Sequence, residues 1–209
     1  MSGRSRVGYA VRALFFRLLT LRGQHAIHSL PVWAPLSTAE EKLLILRRLA
    51  DSMDLLRIHA PRRHARVLRS LRGILVFGTD SQRASYDTEQ RVCRLSESLL
   101  LAPSTIVASI SATVVHEATH GWLFDLGIGY AEPVRHRVEQ ICIRAALQVA
   151  RKLPGGEEEI DRCQRLLMLE ADAYSDESYV LLAGEKLREL GCPEWIVRLV
   201  MWFKRKRAA

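Results

Sequence analysis

A helical pattern of apolar residues opens the chain. The apolar positions there recur every three or four residues, at Val7, Val11, Leu14, Leu18 and Leu21. This spacing predicts a helix over 7–21. Arginines interrupt its apolar run, which is too short for a transmembrane helix and too broken for a signal peptide. We therefore expect a cytoplasmic protein, with contact between this helix and a membrane surface as the alternative.

A connector and two helices are predicted next. His28–Ser37 contains two prolines, which is typical of a connector. Ser37 followed by Glu40 is a capping-box pattern, and it predicts a helix that runs to about Ile58. A second, short helix is expected over 61–71. On this pattern residues 1–36 form a basic and apolar N-terminal helix with its connector, and residues 37–209 form one folded domain.

The pattern then changes to short strands and back to helices. Gly73–Asp80 is a short apolar run that predicts a strand, and Ala84–Ser96 predicts two short strands around a turn. The next helix should end near Gly127, a residue suited to the left-handed position after a helix. Helices are expected over about 133–153, over 157–190 with a break, and from Pro193 onward. The order predicts an α+β fold, mostly helical, with a small antiparallel sheet ahead of the helix that ends near Gly127.

Charge is distributed unevenly along the chain. Residues 1–72 carry 14 Lys and Arg against 4 Asp and Glu, while the remainder carries 17 against 19 and includes the basic run Lys204–Arg207. Basic ends favour an acidic partner, either a nucleic acid or an anionic membrane, although a solvated surface explains them as well. The four cysteines are far apart in sequence, which favours a reducing compartment over a disulfide scaffold.

The stretch TVVHEATHGW carries the strongest chemical signal. His116 and His120 are four residues apart, so on a helix both imidazoles lie on one face and can bind one zinc ion. Glu117 lies beside them, within reach of a metal-bound water as a general base. The alternative is a pair of core histidines that are satisfied by hydrogen bonds. The apolar residues before His116 indicate a buried helix. Burying polar side chains on such a helix costs free energy unless they bind a metal or form hydrogen bonds.

A catalytic zinc site needs a third protein ligand and one open position. Leu123 and Leu126 stand where the metzincin pattern has glycine and histidine, so that class is excluded. Three carboxylates remain as candidates for the third ligand, namely Glu139, Glu170 and Glu132. Glu139 and Glu170 are placed on predicted helices, and Glu132 precedes a proline in a loop. Glu170 lies on an apolar stripe with Leu167 and Tyr174, which predicts a buried carboxylate. From the residues alone all three stay open.

With 18 residues between His120 and Glu139, the segment Gly73–Val149 resembles the gluzincins, the thermolysin-like and aminopeptidase-like zinc peptidases. The resemblance implies a zincin-like fold, one zinc ion per chain held by His116, His120 and Glu139, and Glu117 as the general base. Ile143 departs from the pattern, because many gluzincins have an aspartate there that orients a zinc histidine. Asp125 and Asp172 are the candidates for that role.

The resemblance implies a zinc metallopeptidase that hydrolyses peptide bonds in a peptide or protein substrate. An endopeptidase is favoured, because the strand by which aminopeptidases hold a free N-terminus is not recognisable here. Tyr130, His136 and Tyr174 are candidates for stabilising the oxyanion. The alternative is a zincin-fold binding or regulatory protein with little hydrolysis, whose basic ends bind nucleic acid or a membrane surface.

Overall fold

A five-stranded sheet covered by helices forms the fold, which a computed structural model of the chain describes for residues 25–78, 83–189 and 191–208. The strands are β1 (His25–Ile27), β2 (Leu30–Trp33), β3 (Gly73–Phe77), β4 (Ala84–Asp87) and β5 (Val92–Ser96). The helices are α1 (Ala39–His59), α2 (Pro61–Ser70), α3 (Glu97–Leu101), α4 (Val107–Asp125), α5 (Glu132–Ala150), α6 (Glu157–Leu167), α7 (Asp176–Glu189) and α8 (Glu194–Ala208). A 3₁₀ turn, Ala171–Tyr174, separates α6 from α7. The helix expected over 7–21 lies outside the described residues.

Helix positions agree well with the sequence pattern. The capping box of α1 is displaced by one residue, because Thr38 and Glu41 form it in place of Ser37 and Glu40. The Thr38 hydroxyl accepts from the Glu41 amide at 3.3 Å, and the Glu41 carboxylate accepts from the Thr38 amide at 2.7 Å. Gly127 has a φ of 78° just after α4, as expected. The mixture of helices and a small sheet confirms the α+β class.

The sheet is mixed, so the prediction of an antiparallel sheet is wrong. Its order is β1-β2-β3-β5-β4, with parallel pairing of β2 to β3 and of β3 to β5. The β4–β5 hairpin is antiparallel as predicted, but its second strand inserts next to β3 and leaves β4 at the edge. Helices α1 and α2 provide the crossover that joins β2 to the parallel strand β3. Local patterns predicted β3, β4 and β5 but not which strands pair with each other outside the hairpin.

The interpretation of His28–Ser37 as a connector is also wrong. Leu30, Val32 and Trp33 are buried, and β2 pairs with β1 through a two-residue turn. The turn residues His28 and Ser29 have φ values of 50° and 68°. Such turns normally use glycine or asparagine, so the sequence lacks the usual hairpin signal. Strands β1 and β2 share one sheet with strands of the predicted 37–209 domain.

Helix α4 lies at the centre of the molecule and is buried on most of its circumference. It packs against α1, α2, α5 and the edge strand β4. Ile110 and Val114 of α4 join a core with residues of α1 and the sheet, including Leu49 and Ile74. Because this core fixes α4 on one side, the helix holds its remaining side chains in place at a cleft. No helix within the described ranges combines the length and apolar character needed to cross a bilayer.

Gly156, which precedes α6, is required by close packing. A Cβ atom at this position would lie 2.0 Å from the carbonyl oxygen of Ala150. We expect Gly156→Ala to lower the free energy of unfolding by about 1–3 kcal/mol, because the backbone must shift to relieve the overlap. Urea denaturation checks this against Gly129→Ala, where an added Cβ meets nothing within 4 Å. Equal midpoints for the two variants would contradict the packing.

Candidate metal centre

Two histidines on successive turns of α4 point to one spot. The Nε2 atoms of His116 and His120 lie 3.1 Å apart, and both side chains are largely buried. Their rings meet edge to face, with centroids 4.9 Å apart. The four-residue spacing on a helix accounts for this arrangement. The two imidazole nitrogens face each other and not two separate hydrogen-bond partners. This arrangement is suited to binding one metal ion between them.

Helix α5 brings Glu139 to the same spot. Its Oε2 lies 3.3 Å from the His116 Nε2, and its Oε1 lies 3.5 Å from the His120 Nε2. α5 packs along α4, with Val138 and Cys142 forming a small apolar cluster with Leu123. The 18 residues between His120 and Glu139 are the end of α4, a loop and the first two turns of α5. One carboxylate thus contacts both histidines.

Glu117 is buried at the wall of a cleft of about 700 Å³ that the two histidines and Glu139 also line. Burial raises the pKa of Glu117 to about 7, and the charge of Glu139 adds to this while the His116 cation opposes it. A carboxyl group with a pKa near neutrality can both accept and donate a proton. Glu117 is therefore suited to general acid–base chemistry.

The ionisation of the other three groups reflects their mutual contacts. Burial lowers the pKa of His120 to about 4, with a further contribution from the His116 cation. Burial alone would raise the pKa of Glu139, but the hydrogen bond from His116 and the charges of both histidines lower it to about 2. Burial opposes protonation of His116, yet its bond to Glu139 raises its pKa. Glu139 is thus held as a carboxylate.

Tyr130 orients Glu139. Its hydroxyl donates to the Glu139 Oε1, and its ring packs edge-on to His120 at a centroid distance of 5.4 Å. Burial and the neighbouring carboxylate raise the pKa of Tyr130 far above its ordinary value, so the phenol stays a donor. The hydroxyl of Tyr179 on α7 lies 3.3 Å from that of Tyr130. No local sequence signal indicates Tyr179, because the pattern does not show which face of α7 meets the cleft.

The remaining sequence candidates lie elsewhere. Glu170 is exposed and lines a separate shallow pocket with His136, so the expectation that Glu170 is buried is wrong. Glu132 begins α5 and accepts from the Asp176 amide at 3.2 Å. Helix α6 ends at Leu167, so Glu170 does not continue the apolar face on which the sequence pattern places it. His136 instead packs against the ring of Tyr174.

Neither aspartate considered for orienting a zinc histidine is in a position to do so. Asp125 forms an ion pair with Arg91 at the end of α4. Asp172 is exposed in the 3₁₀ turn. Ile143 is buried in a small core with Ala112 and Cys163. The carboxylate that contacts the histidines in this fold is Glu139 itself.

Cys142 is a residue that the sequence reasoning missed. It lies three residues after Glu139 on α5, and its sulfur together with one ring nitrogen of His116 and one of His120 falls within 4.8 Å. Burial raises the pKa of the Cys142 thiol far above its ordinary value, and Glu139 and Glu117 add to this. Glu139 is the better ligand candidate, because its two oxygens already lie 3.3 and 3.5 Å from the imidazole nitrogens.

A buried ionic cluster forms another part of the cleft wall. Glu159 of α6 accepts from Arg162 at 2.9 and 3.0 Å and from the Ser109 hydroxyl at 2.6 Å. The guanidinium of Arg83 lies 3.6 Å from the same carboxylate. Arg83 and Arg162 both line the cleft. This cluster links α6 to the first turn of α4 and so holds these two walls of the cleft in a fixed relative position.

Edge strand β4 completes the cleft. Ala84, Ser85 and Tyr86 line it together with residues of the α4–α5 loop and α7, including Ile128 and Leu182. Within the described part of the chain, β4 pairs with β5 on one side only. The cleft therefore combines a polar centre, an apolar rim and an available strand edge.

Comparisons of the chain with protein-family models, with curated proteins and with solved structures give no match.

Proposed function

We propose that the protein is a zinc-dependent metallopeptidase of the gluzincin type. The observation that carries the proposal is the convergence of His116, His120 and Glu139 beside Glu117. Zinc bonds of about 2.0–2.2 Å in a tetrahedral arrangement separate pairs of ligand atoms by about 3.3–3.6 Å. Here the two Nε2 atoms lie 3.1 Å apart, one carboxylate oxygen of Glu139 lies 3.3 Å from His116, and the other lies 3.5 Å from His120. The two imidazoles and the carboxylate group thus lie close to the spacing that a zinc ion requires.

The chemistry of the donor set also suits zinc. Two imidazole nitrogens and one carboxylate are typical of catalytic zinc sites, which keep a fourth position open. Carboxylate ligands in such sites are usually hydrogen-bonded by a neighbour that fixes their orientation. The Tyr130 hydroxyl makes that bond to Glu139. A site of this kind differs from a pair of core histidines that are stabilised by hydrogen bonds, because each of those would need its own hydrogen-bond partner.

The roles of the side chains support peptide hydrolysis as the reaction. Zinc held by the three ligands supplies a Lewis acid, which polarises a carbonyl group and makes water more acidic. Glu117 lies buried at the cleft wall beside the three ligands, where it accepts a proton from the attacking water and passes it to the leaving amine. The phenol of Tyr179 faces the same cleft and is an available donor for the oxyanion, because the Tyr130 hydroxyl already donates to Glu139.

The shape of the cleft supports a peptide substrate. An extended peptide pairs with an exposed strand edge through backbone hydrogen bonds, which hold it in register whatever its side chains are. Strand β4 offers such an edge beside Glu117. The apolar rim formed by residues such as Phe124, Ile128 and Leu182 can take up apolar side chains. Together these features favour cleavage within a chain over removal of one terminal residue.

Digestion of a complex peptide mixture tests the proposal. The zinc-loaded protein is incubated with peptides from a digested proteome, and new termini are identified by mass spectrometry. We expect cleavage that stops on chelation and returns when zinc is added. A zinc-loaded protein that produces no new termini would contradict the peptidase assignment, even if its metal site is intact.

The position of Cys142 favours one second candidate, a closed structural zinc site with four protein ligands. Such sites stabilise a fold and leave no position for water. Cys142→Ser distinguishes the two possibilities. For the catalytic site we expect zinc affinity to change by less than about tenfold, because the thiol is not a ligand. For the closed site we expect a loss of at least about 100-fold, measured by competition with a chelator.

A further inference from the structure

Helix α8 exposes a continuous apolar stripe, which we name the α8 apolar face and define as Trp195, Leu199, Trp202 and Phe203. Their exposed fractions are 68%, 45%, 53% and 53%. At 3.6 residues per turn these four positions fall within about 100° of the helix circumference. The opposite side of α8 carries the buried Val197 and packs on α7. At least 45% of each of the four side chains is thus exposed, while the opposite side of α8 faces the protein.

Basic residues follow this face directly. The run Lys204-Arg205-Lys206-Arg207 continues α8 to its end at Ala208. Tryptophan and phenylalanine beside lysine and arginine on one helix are typical of helices that lie in the interface of a membrane. The aromatic rings enter the boundary between headgroups and acyl chains, while the cations contact anionic headgroups.

We propose that the α8 apolar face binds the surface of an anionic lipid bilayer. Charge decides between the possible occupants. A second copy packed in parallel on the same face would bring two runs of four cations together. An antiparallel copy would offer each run one acidic residue of α8, Glu194, which already pairs with Arg188. Residues 1–24 contain five arginines and no acidic residue, so this segment would meet the basic run with like charge. The phosphates of a nucleic acid would pair with the cations, but they would not bury the four exposed apolar side chains.

Binding in this way would place the cleft beside the bilayer. Helix α7 packs against α8, and its Leu182 lines the cleft while Leu181 is exposed next to it. The cleft would then meet substrates at or near the membrane surface. The binding itself does not depend on the proposed peptidase activity.

Cosedimentation with vesicles tests the proposal. The full-length protein is mixed with vesicles of phosphatidylcholine alone or with phosphatidylglycerol added, at low and at high salt. We expect binding to the anionic vesicles that weakens with salt. The double variant Trp195→Ser/Phe203→Ser should lose at least about tenfold in affinity. Replacing the basic run with four glutamines should cost about 100-fold.

The matched control is Leu43→Ser/Ile58→Ser, which removes two exposed apolar side chains from α1. This variant should bind vesicles like the unaltered chain. Four results would overturn the proposal, and three of them come from measurements of binding or assembly. They are vesicle binding that the α8 variant retains, a dimer that the α8 variant dissociates, and binding of duplex DNA that depends on the basic run with no vesicle binding. A lowered melting temperature of the α8 variant, together with no vesicle binding by the unaltered chain, would also overturn it. The α8 apolar face would then be covered by another part of the chain.

Discussion

Replacing Glu117 by glutamine is expected to lower the rate of peptide hydrolysis by about 10²–10⁴-fold while the zinc content stays unchanged. Glutamine has nearly the same shape, so the buried position is filled, but it does not accept the proton of the attacking water. The readout is the rate of appearance of new peptide termini for the zinc-loaded protein. Glu117 lines the cleft but is not one of the proposed metal ligands. The substitution should therefore change the hydrolysis rate and leave the zinc content unchanged.

Glu170→Gln is the matched control for this change. It makes the same chemical substitution at an exposed residue that lies outside the cleft. We expect the control to hydrolyse peptides at the rate of the unaltered chain. An unchanged rate for Glu117→Gln would contradict the role of Glu117 as the general base. A loss of both zinc and activity would mean that Glu117 supports the metal site and would also contradict that role.

Replacing Glu159 by glutamine is expected to lower the free energy of unfolding by about 3 kcal/mol at pH 7. The Glu159 carboxylate is 1% exposed and is the shared partner of Arg162 and Arg83. Without its charge, two guanidinium groups lie beside each other in a half-buried place. Urea denaturation measures the loss. Glu158→Gln is the matched control at an exposed neighbour and should change the value by less than about 0.5 kcal/mol.

The effect of Glu159 should depend on pH in a defined direction. Burial raises the pKa of Glu159, but the hydrogen bonds from Arg162 and Ser109 and the charge of Arg83 outweigh burial and lower it below 4.5. A carboxyl group with a lowered pKa stabilises the fold above its ordinary pKa, and this stabilisation is lost as the pH falls toward the folded-state pKa. The difference between the unaltered chain and Glu159→Gln should therefore be constant above pH ~5.5 and shrink below about 4.5. A difference that stays constant down to pH ~3.5 would contradict the ion pairing.

The helices could be predicted from the sequence because their signals are local. Apolar spacing, a capping box one residue from the observed one, and Gly127 mark α1 and α4 within a few residues. The order of the strands could not be predicted in the same way. Whether β5 pairs with β3 or with β4 alone depends on contacts between distant segments. The hairpin at His28 and Ser29 was missed because its turn lacks the glycine that usually indicates one.

The candidate site could be predicted in part for a similar reason. His116 and His120 share a face through helical geometry alone, which a sequence displays directly. The choice of Glu139 over Glu170 depended on where α6 ends, and helix ends are poorly determined by pattern. Tyr179 and Cys142 reach the site through the packing of α7 and α5, which no local signal reveals. Side chains that meet across elements need the tertiary fold.

Zinc content tests the central claim most directly. The purified protein, loaded with zinc and dialysed, is measured by elemental analysis beside His116→Ala, Glu139→Ala and the control Glu170→Ala. The unaltered chain and Glu170→Ala should each retain about one zinc ion per chain, and the other two variants should lose it. An unaltered chain that holds no zinc after loading, or a Glu139→Ala variant that keeps it, would contradict the proposed metal centre.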